Sequence, residues 1–277
     1  MNKLLSANFL RLFKEKVFWL SVITMFIVAV FMMFSGCRQA SLMKHLGHEI
    51  TLDHYYFNLA PAIGLFYAIM IALFLGTDYS DGTIRNKLVV GHTRTHIYLA
   101  NLVICFVATL FIMVAWLIGG LVGIPFLGSW HMGINGYVLF VLIITFQNMA
   151  FTAIFTLIST LSTNKAITIV IAVLLCLVLI IAASMTYNRL NEPEFSNNII
   201  YTSNGMQFGD PTPNPNYISG SIRIFFEMII DFLPTGQEIL MANIEIAHPF
   251  RQIIFSTLIT FCTVIGGVFA FRRKDLN

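Results

Sequence analysis

Residues 77–98 read TDYSDGTIRNKLVVGHTRTHIY and place Asp78, Asp81, Arg85, Lys87 and Arg94 in one short segment of a chain that is only 10% charged. Charges of both signs around a short apolar run suit recognition of a soluble partner better than bond-breaking chemistry. A second set, Arg223, Glu227 and Asp231, recurs at i, i+4 and charges one face of a helix. A third, KHLGHE at 44–49, puts two His three residues apart beside Glu49; this weak metal-ligand spacing reads as an exposed polar loop helix. Other chemistries have no residues to carry them. There is no GxxxxGK[ST] phosphate loop, so Walker-type ATP binding by this chain is excluded. Cys37, Cys105, Cys176 and Cys262 form no CxxC and no Cys/His cluster. No Asp, Glu or His sits centrally in a long apolar stretch, where proton or cation coupling or intramembrane hydrolysis would need one.

The segment at 77–98 has an internal design. Asp81-Gly82 gives a turn or helix start, with Asp81 able to cap free N–H groups. TIRNKLVV forms one or two helical turns with Ile84, Leu88 and Val89 on one side. Gly91 permits a tight reversal, and Arg94 leads back into the next apolar run. A short helix with an apolar face and polar flanks can dock into a groove on a soluble partner; the plain alternative is a solvated basic loop.

The elements that hold this segment follow from composition. The chain has 277 residues, 57% hydrophobic, with 26 Phe and 13 Met. A soluble domain cannot hide that much apolar surface, so the class is an all-α integral membrane protein. Six stretches reach the roughly 20 apolar residues needed to cross a bilayer: about 17–37, 57–76, 97–124, 137–161, 166–186 and 250–271. The first run is too long for a signal-peptide core and is read as a retained span. An even count puts both termini on one side. That side holds Lys3, Arg11, Lys14, Lys16, Arg85, Lys87, Arg94, Lys165 and Arg272–Lys274, 11 of the 16 basic residues, against four of the 13 acidic ones. The positive-inside rule makes it cytoplasmic, and 77–96 becomes a cytoplasmic segment.

Three further pieces complete the single transmembrane domain over 1–277. Residues 3–16, KLLSANFLRLFKEK, gather Leu4, Leu5, Phe9, Leu12 and Phe13 near one face and leave Lys3, Arg11, Lys14 and Lys16 for headgroups; 1–16 reads as an interfacial helix, the plain alternative being a helical extension of the first span. Residues 187–249 form an extracellular loop. Its part at 191–220 is rich in Asn, Pro, Gly and Ser, with room for a small hairpin. Its part at 221–245 has an apolar core of only about 12 residues, broken by LPTG, and predicts a short re-entrant or interfacial helix–turn–helix. No internal repeat is visible.

GTIRNKLVVGHTRTHIYLANLV resembles the segment after span two in permeases of the ABC-2 type, where a Gly-Thr-Ile/Leu-Arg core precedes Gly-x-x-Arg. The six-span plan, the amphipathic lead-in, DFLPTGQ at 231–237 and the terminal FRRKDLN at 271–277 extend the resemblance over the whole chain. It implies an ATP-driven exporter in the cell membrane, bacterial, with both termini cytoplasmic. Two such chains, identical or related, enclose a path with 12 spans. Each engages a separate ATP-binding cassette subunit, which holds the ATP and Mg; the permease itself is not an enzyme and carries no cofactor. The resemblance implies coupling to that subunit through Asp81, Gly82, Thr83, Ile84, Arg85, Asn86 and Leu88, with Gly91 and Arg94 shaping the return. It makes the segment containing Arg223, Glu227, Asp231, Pro234 and Gly236 an external re-entrant pair near the exit. The cargo expected is hydrophobic or amphipathic, a peptide first, as in exporters of phenol-soluble modulins or lantibiotics; nucleic acid is not a partner. A cassette-linked sensor or immunity component that transports nothing, and an intramembrane enzyme, are the alternatives.

Overall fold

The computed structural model describes residues 2–44, 51–127, 132–202 and 205–274. Six long apolar helices form the bundle: α2 (Lys16–Lys44), α4 (Ala60–Ser80), α6 (Arg94–Leu121), α8 (Gly133–Leu161), α9 (Lys165–Leu190) and α12 (Pro249–Arg273). α2, α8, α9 and α12 each contain one of the expected apolar stretches, α4 covers 60–76 of the second, and α6 covers 97–121 of the third, which runs on past the end of the helix. The span centred on α4 also takes in the end of the short α3 (Leu52–Phe57). α7 (Ile124–Leu127) is a single turn. Amide and carbonyl pairing within helices is what the hydrocarbon requires of a spanning chain.

α4 is the most enclosed of the six; α2, α9 and α12 are the most open. α4 packs on α8 and α9, α2 packs on α6, and α12 on α8 and α6. The open faces carry bare Phe, Ile, Leu and Val, such as Phe31, Ile181 and Phe261. Outside a membrane so continuous an apolar exterior would aggregate. Inside, polar side chains tie helices together: Thr109 Oγ1 meets Thr152 Oγ1 at 2.9 Å between α6 and α8.

The expected interfacial helix is α1 (Asn2–Lys14), which Glu15 separates from α2. It does more than lie on a surface. Leu4, Asn8 and Leu12, one helical turn apart, are buried, and Asn8 Nδ2 donates to Asn101 Oδ1 of α6 at 3.2 Å. Leu10 and Phe13 remain exposed. Arg11 departs from the expectation: it points to Asp78 rather than to headgroups. A guanidinium close to a buried carboxylate gains more there than in water.

Between α9 and α12 the chain first makes the small hairpin, β1 (Phe195–Thr202) antiparallel to β2 (Gly205–Pro213), with a register shift between Asn197 and Ile199. α10 (Gly220–Phe232) and α11 (Pro234–Ala242) follow. Leu233 is extended at φ −72°, ψ 123°, and Pro234 opens α11 at a position where its missing N–H costs nothing. This pair does not cross. It enters from the end of the bundle opposite the termini and seats its break against the middle of the spans.

Candidate functional site

The first site is built around Asp78, in the last turn of α4. Its side chain is 1% exposed and receives two cations, Arg11 of α1 and Lys87, whose Nζ lies 3.2 Å from Oδ2. Arg11 Nη2 also donates to Phe74 O at 2.7 Å and to Thr77 Oγ1 at 2.6 Å, and its guanidinium lies 4.4 Å from the Phe74 ring centre. Thr83 Oγ1 donates to the Asp78 carbonyl at 3.0 Å and to its carboxylate. Burial pulls the Lys87 ammonium below its ordinary pKa, and Asp78 opposes that shift.

Asp78 thereby fixes α5 (Thr83–Val89), the loop helix expected over TIRNKLVV at 83–90. Asp81 is not its cap. Asp81 ends α4, where its N–H donates to Thr77 O, and its Oδ1 accepts from Ser80 Oγ at 3.1 Å. Gly82, left-handed at φ +66°, occupies the N-cap position, which it can do because it has no Cβ. At the other end Gly91, at φ +96°, donates to Leu88 O at 2.9 Å, and His92 N donates to Lys87 O at 3.1 Å. That pair of bonds is the Schellman closure that the sequence placed there. Arg94 does lead into α6, and it also reaches across to α12, donating to the carbonyls of Phe271 (3.3 Å), Arg272 (3.2 Å) and Lys274. It satisfies carbonyls that the helix end leaves open and complements the negative end of the helix dipole.

The faces of α5 differ from the expectation. Ile84 is 2% exposed and packs with Leu4, Ile97, Tyr98, Ala100 and Phe271, and Leu88 leans on the same cluster. Val89 points the other way, 86% exposed, beside Val90. Arg85 and Asn86 are exposed with them. The inward side of α5 holds the helix to its own chain, and the outward side, Arg85-Asn86-Val89-Val90, is the surface available to a partner.

The second site is the seat of α10 and α11. Arg223 and Glu227 form the expected i, i+4 pair at 3.2 Å, and Arg223 also donates to Leu190 O at 3.1 Å. Asp231 leaves that series. It is buried, pairs with Arg251 of α12 and accepts from Gln252 Nε2 at 2.8 Å. Gly236 lies so close to the preceding helix that a Cβ would sit 2.2 Å from Ile230 O. The break itself is fully answered. Gln147 Nε2, at the centre of α8, donates to Pro234 O at 2.9 Å, and Thr235 Oγ1 donates to Leu179 O of α9 at 2.8 Å. Gln237 donates to Asp231 O at 2.7 Å and accepts from Ser256 Oγ at 2.9 Å. Irregular backbone at membrane depth needs such partners.

Sequence reading missed several members of these sites. Arg11 was assigned to headgroups and Asp78 to no partner, since nothing local marks a contact across 67 residues. Gln147 and Asn148 stood out only as polar residues inside a span. Glu238 lies on α11, outside the apolar stretches, so their lack of central ionisable residues does not cover it. It is 2% exposed and accepts from Gly64 N of α4 at 3.2 Å, so a re-entrant helix brings a carboxyl where the spans have none. The run Thr235-x-Gln237-Glu238 after Pro234 was the available signal: three polar residues in a nine-residue helix, all buried. The His45–His48–Glu49 spacing and residues 275–277 of the basic tail lie outside the described residues.

No protein-family model, curated protein or solved structure matches the chain, and its own geometry defines it as a multi-pass helical membrane protein with a clamped loop helix at one end and a seated re-entrant pair entering from the other.

Proposed function

We propose that the chain is the permease subunit of an ATP-driven exporter of the ABC-2 type, acting in pairs and receiving its energy at α5 from a separate ATP-binding cassette subunit. The attachment of α5 carries this reading. A docking element transmits force only if it is stiff and joined to what must move. α5 presents Arg85, Asn86, Val89 and Val90 outward, while Asp78 joins it to α4 and, through Arg11, to α1. A solvated loop would absorb a push; this arrangement passes it on to two elements of the bundle.

The excess of basic residues at the α5 end supports a cytoplasmic position for it. Closure of the two cassettes on ATP then moves the paired α5 helices, and the path between the two chains opens outward. The cargo is hydrophobic or amphipathic, a peptide first, because the helices offer mainly Phe, Met, Leu and Ile. The α10–α11 pair lines the external mouth.

The test is purification of the tagged chain in mild detergent, with mass spectrometry of what accompanies it and assay of ATP hydrolysis. A stoichiometric cassette protein, whose ATPase rises on binding and which drives peptide accumulation in inverted vesicles, is the expected result. Binding and ATPase without accumulation would turn the reading to a sensor or immunity component. A chain that purifies alone would remove it.

A further inference from the structure

Beside the seat of α11, a small space of about 10 Å³ lies among Tyr67, Trp116, Gln147, Asn148, Phe151 and Glu238. That is the threshold for one water molecule. Three of the side chains around it are almost wholly buried and have a polar atom with no protein partner: Glu238 Oε2, Tyr67 Oη and Asn148 Nδ2. A protonated carboxyl oxygen, a hydroxyl and an amide N–H together match one water, which accepts from the acid and the amide and donates to the hydroxyl oxygen. They do not match a metal cation, which the amide N–H group would repel.

The charge state of Glu238 follows from its surroundings. Among the described residues the ion pairs are Arg11–Asp78, Lys87–Asp78, Arg223–Glu227 and Arg251–Asp231, and none reaches Glu238. The groups that face it are neutral: Tyr67 on α4, Gln147 and Asn148 on α8, Trp116 on α6 and Cys176 on α9. α3, also packed on α11, carries Asp53, His54, Tyr55 and Tyr56, and Asp53 Oδ2 accepts from Met132 N. On α10, Asp231 is occupied by Arg251. One backbone N–H, from Gly64 near the start of α4, is the whole of the support for a negative charge. A single such donor does not offset the burial of an unpaired carboxylate.

We propose that Glu238, Tyr67 and Asn148 form a buried site for one proton and one water, in which Glu238 is a carboxylic acid while α11 is seated and a carboxylate once α11 withdraws. On withdrawal the O–H bond of Glu238 breaks, its electron pair stays on the carboxylate, and the proton passes to water as hydronium. Seating reverses the transfer. Each opening of the re-entrant pair thus releases one proton, and low pH favours the seated state.

The test uses this chain alone in lipid nanodiscs, so its failure leaves the docking of α5 to a cassette untouched. The infrared difference between wild type and Glu238→Gln at neutral pH should show the C=O stretch of a protonated acid, shifted in D2O. A carboxylate band in its place overturns the proposal. Wild type labelled with ¹³C-glutamate gives the same reading without a variant, and absence of an isotope-shifted acid band overturns it equally. The coupling is read by hydrogen exchange of the α11 amides. From about pH 6 to about pH 8 the ratio of wild-type to Glu238→Gln rates should rise with pH, by at most about tenfold per pH unit, the limit for one proton. A ratio that does not change with pH overturns the coupling.

Discussion

Arg11 in the first helix is ion-paired with Asp78 in the last turn of α4, 67 residues along the chain. Lys87 of α5 holds the second carboxylate oxygen. One buried carboxylate is therefore shared by α1, α4 and α5, and none of the three can shift far without leaving an ion unpaired. The loop helix is thereby held by an ion network as well as by its apolar contacts.

Removing the shared carboxylate should be costly. Asp78→Ala strands Arg11 and Lys87, whose side chains are only 26% and 15% exposed. Loss of one member of such a cluster costs about 2–4 kcal/mol, at the lower end because Arg11 keeps some water. A triple change, Arg11→Met, Asp78→Asn and Lys87→Met, removes the stranded charges and should return to within about 1 kcal/mol of wild type. Thermal unfolding in nanodiscs reads both. Equal losses in the two variants would show that the charges contribute nothing of their own.

The two ends of the bundle should fail separately. A methyl group on Gly236 would meet Ile230 O at 2.2 Å, a backbone atom that can move only if α10 moves. Gly236→Ala should cost about 2–3 kcal/mol and remove hydrogen-exchange protection from α11 while α5 stays protected. Gly82→Ala meets open space, but at φ +66° it should cost about 1 kcal/mol and loosen α5 alone. Loss of protection at both ends in either variant would mean that the bundle opens as one unit.

The spans, the re-entrant break and the closure at Gly91 were legible because each rests on local rules: apolar run length, Leu233-Pro234, and glycine after a helical turn. The face of α5 was half legible. Ile84 and Val89 are both apolar, and periodicity cannot say which of them meets the chain's own α1, α6 and α12. What was illegible is long-range. Arg11 reaches Asp78, Gln147 reaches Pro234 and Glu238 reaches Gly64 across the fold. A window that scores apolarity passes over each of these, because the polar group is tolerated only through a partner far away in sequence.

The end of α12 should respond to alkaline pH. Lys274 Nζ donates to Thr160 O at 2.8 Å and Ser162 O at 3.0 Å and lies 4.0 Å from the Tyr79 ring centre. Burial nonetheless outweighs these contacts and lowers its pKa from 10.5 to about 8. Below the folded value the ammonium is charged in both states and the cost of burying it is fully present. Between the two values the unfolded chain keeps the proton that the folded chain has lost, so stability rises with pH. Wild type should gain thermal midpoint relative to Lys274→Met between about pH 7.5 and about pH 9.5. A gap that stays constant would show that Lys274 titrates normally.

The outward face of α5 decides the functional reading. Arg85 and Val89 are exposed, Val89 to 86%, so Arg85→Glu with Val89→Asp should change stability by no more than about 0.5 kcal/mol. If a cassette docks there, the double variant loses a central contact and reverses a charge. Its binding should then weaken at least about tenfold, and ATPase stimulation should fall with it. Ile84→Asp is the instructive contrast. It places a charge among Leu4, Tyr98 and Phe271, should cost about 3 kcal/mol or more, and would abolish binding by unseating the helix. Only the exposed pair separates docking from folding. A double variant that remains folded and still binds and stimulates the cassette would make α5 an internal brace, and the partner's surface would have to be sought elsewhere on this end of the bundle.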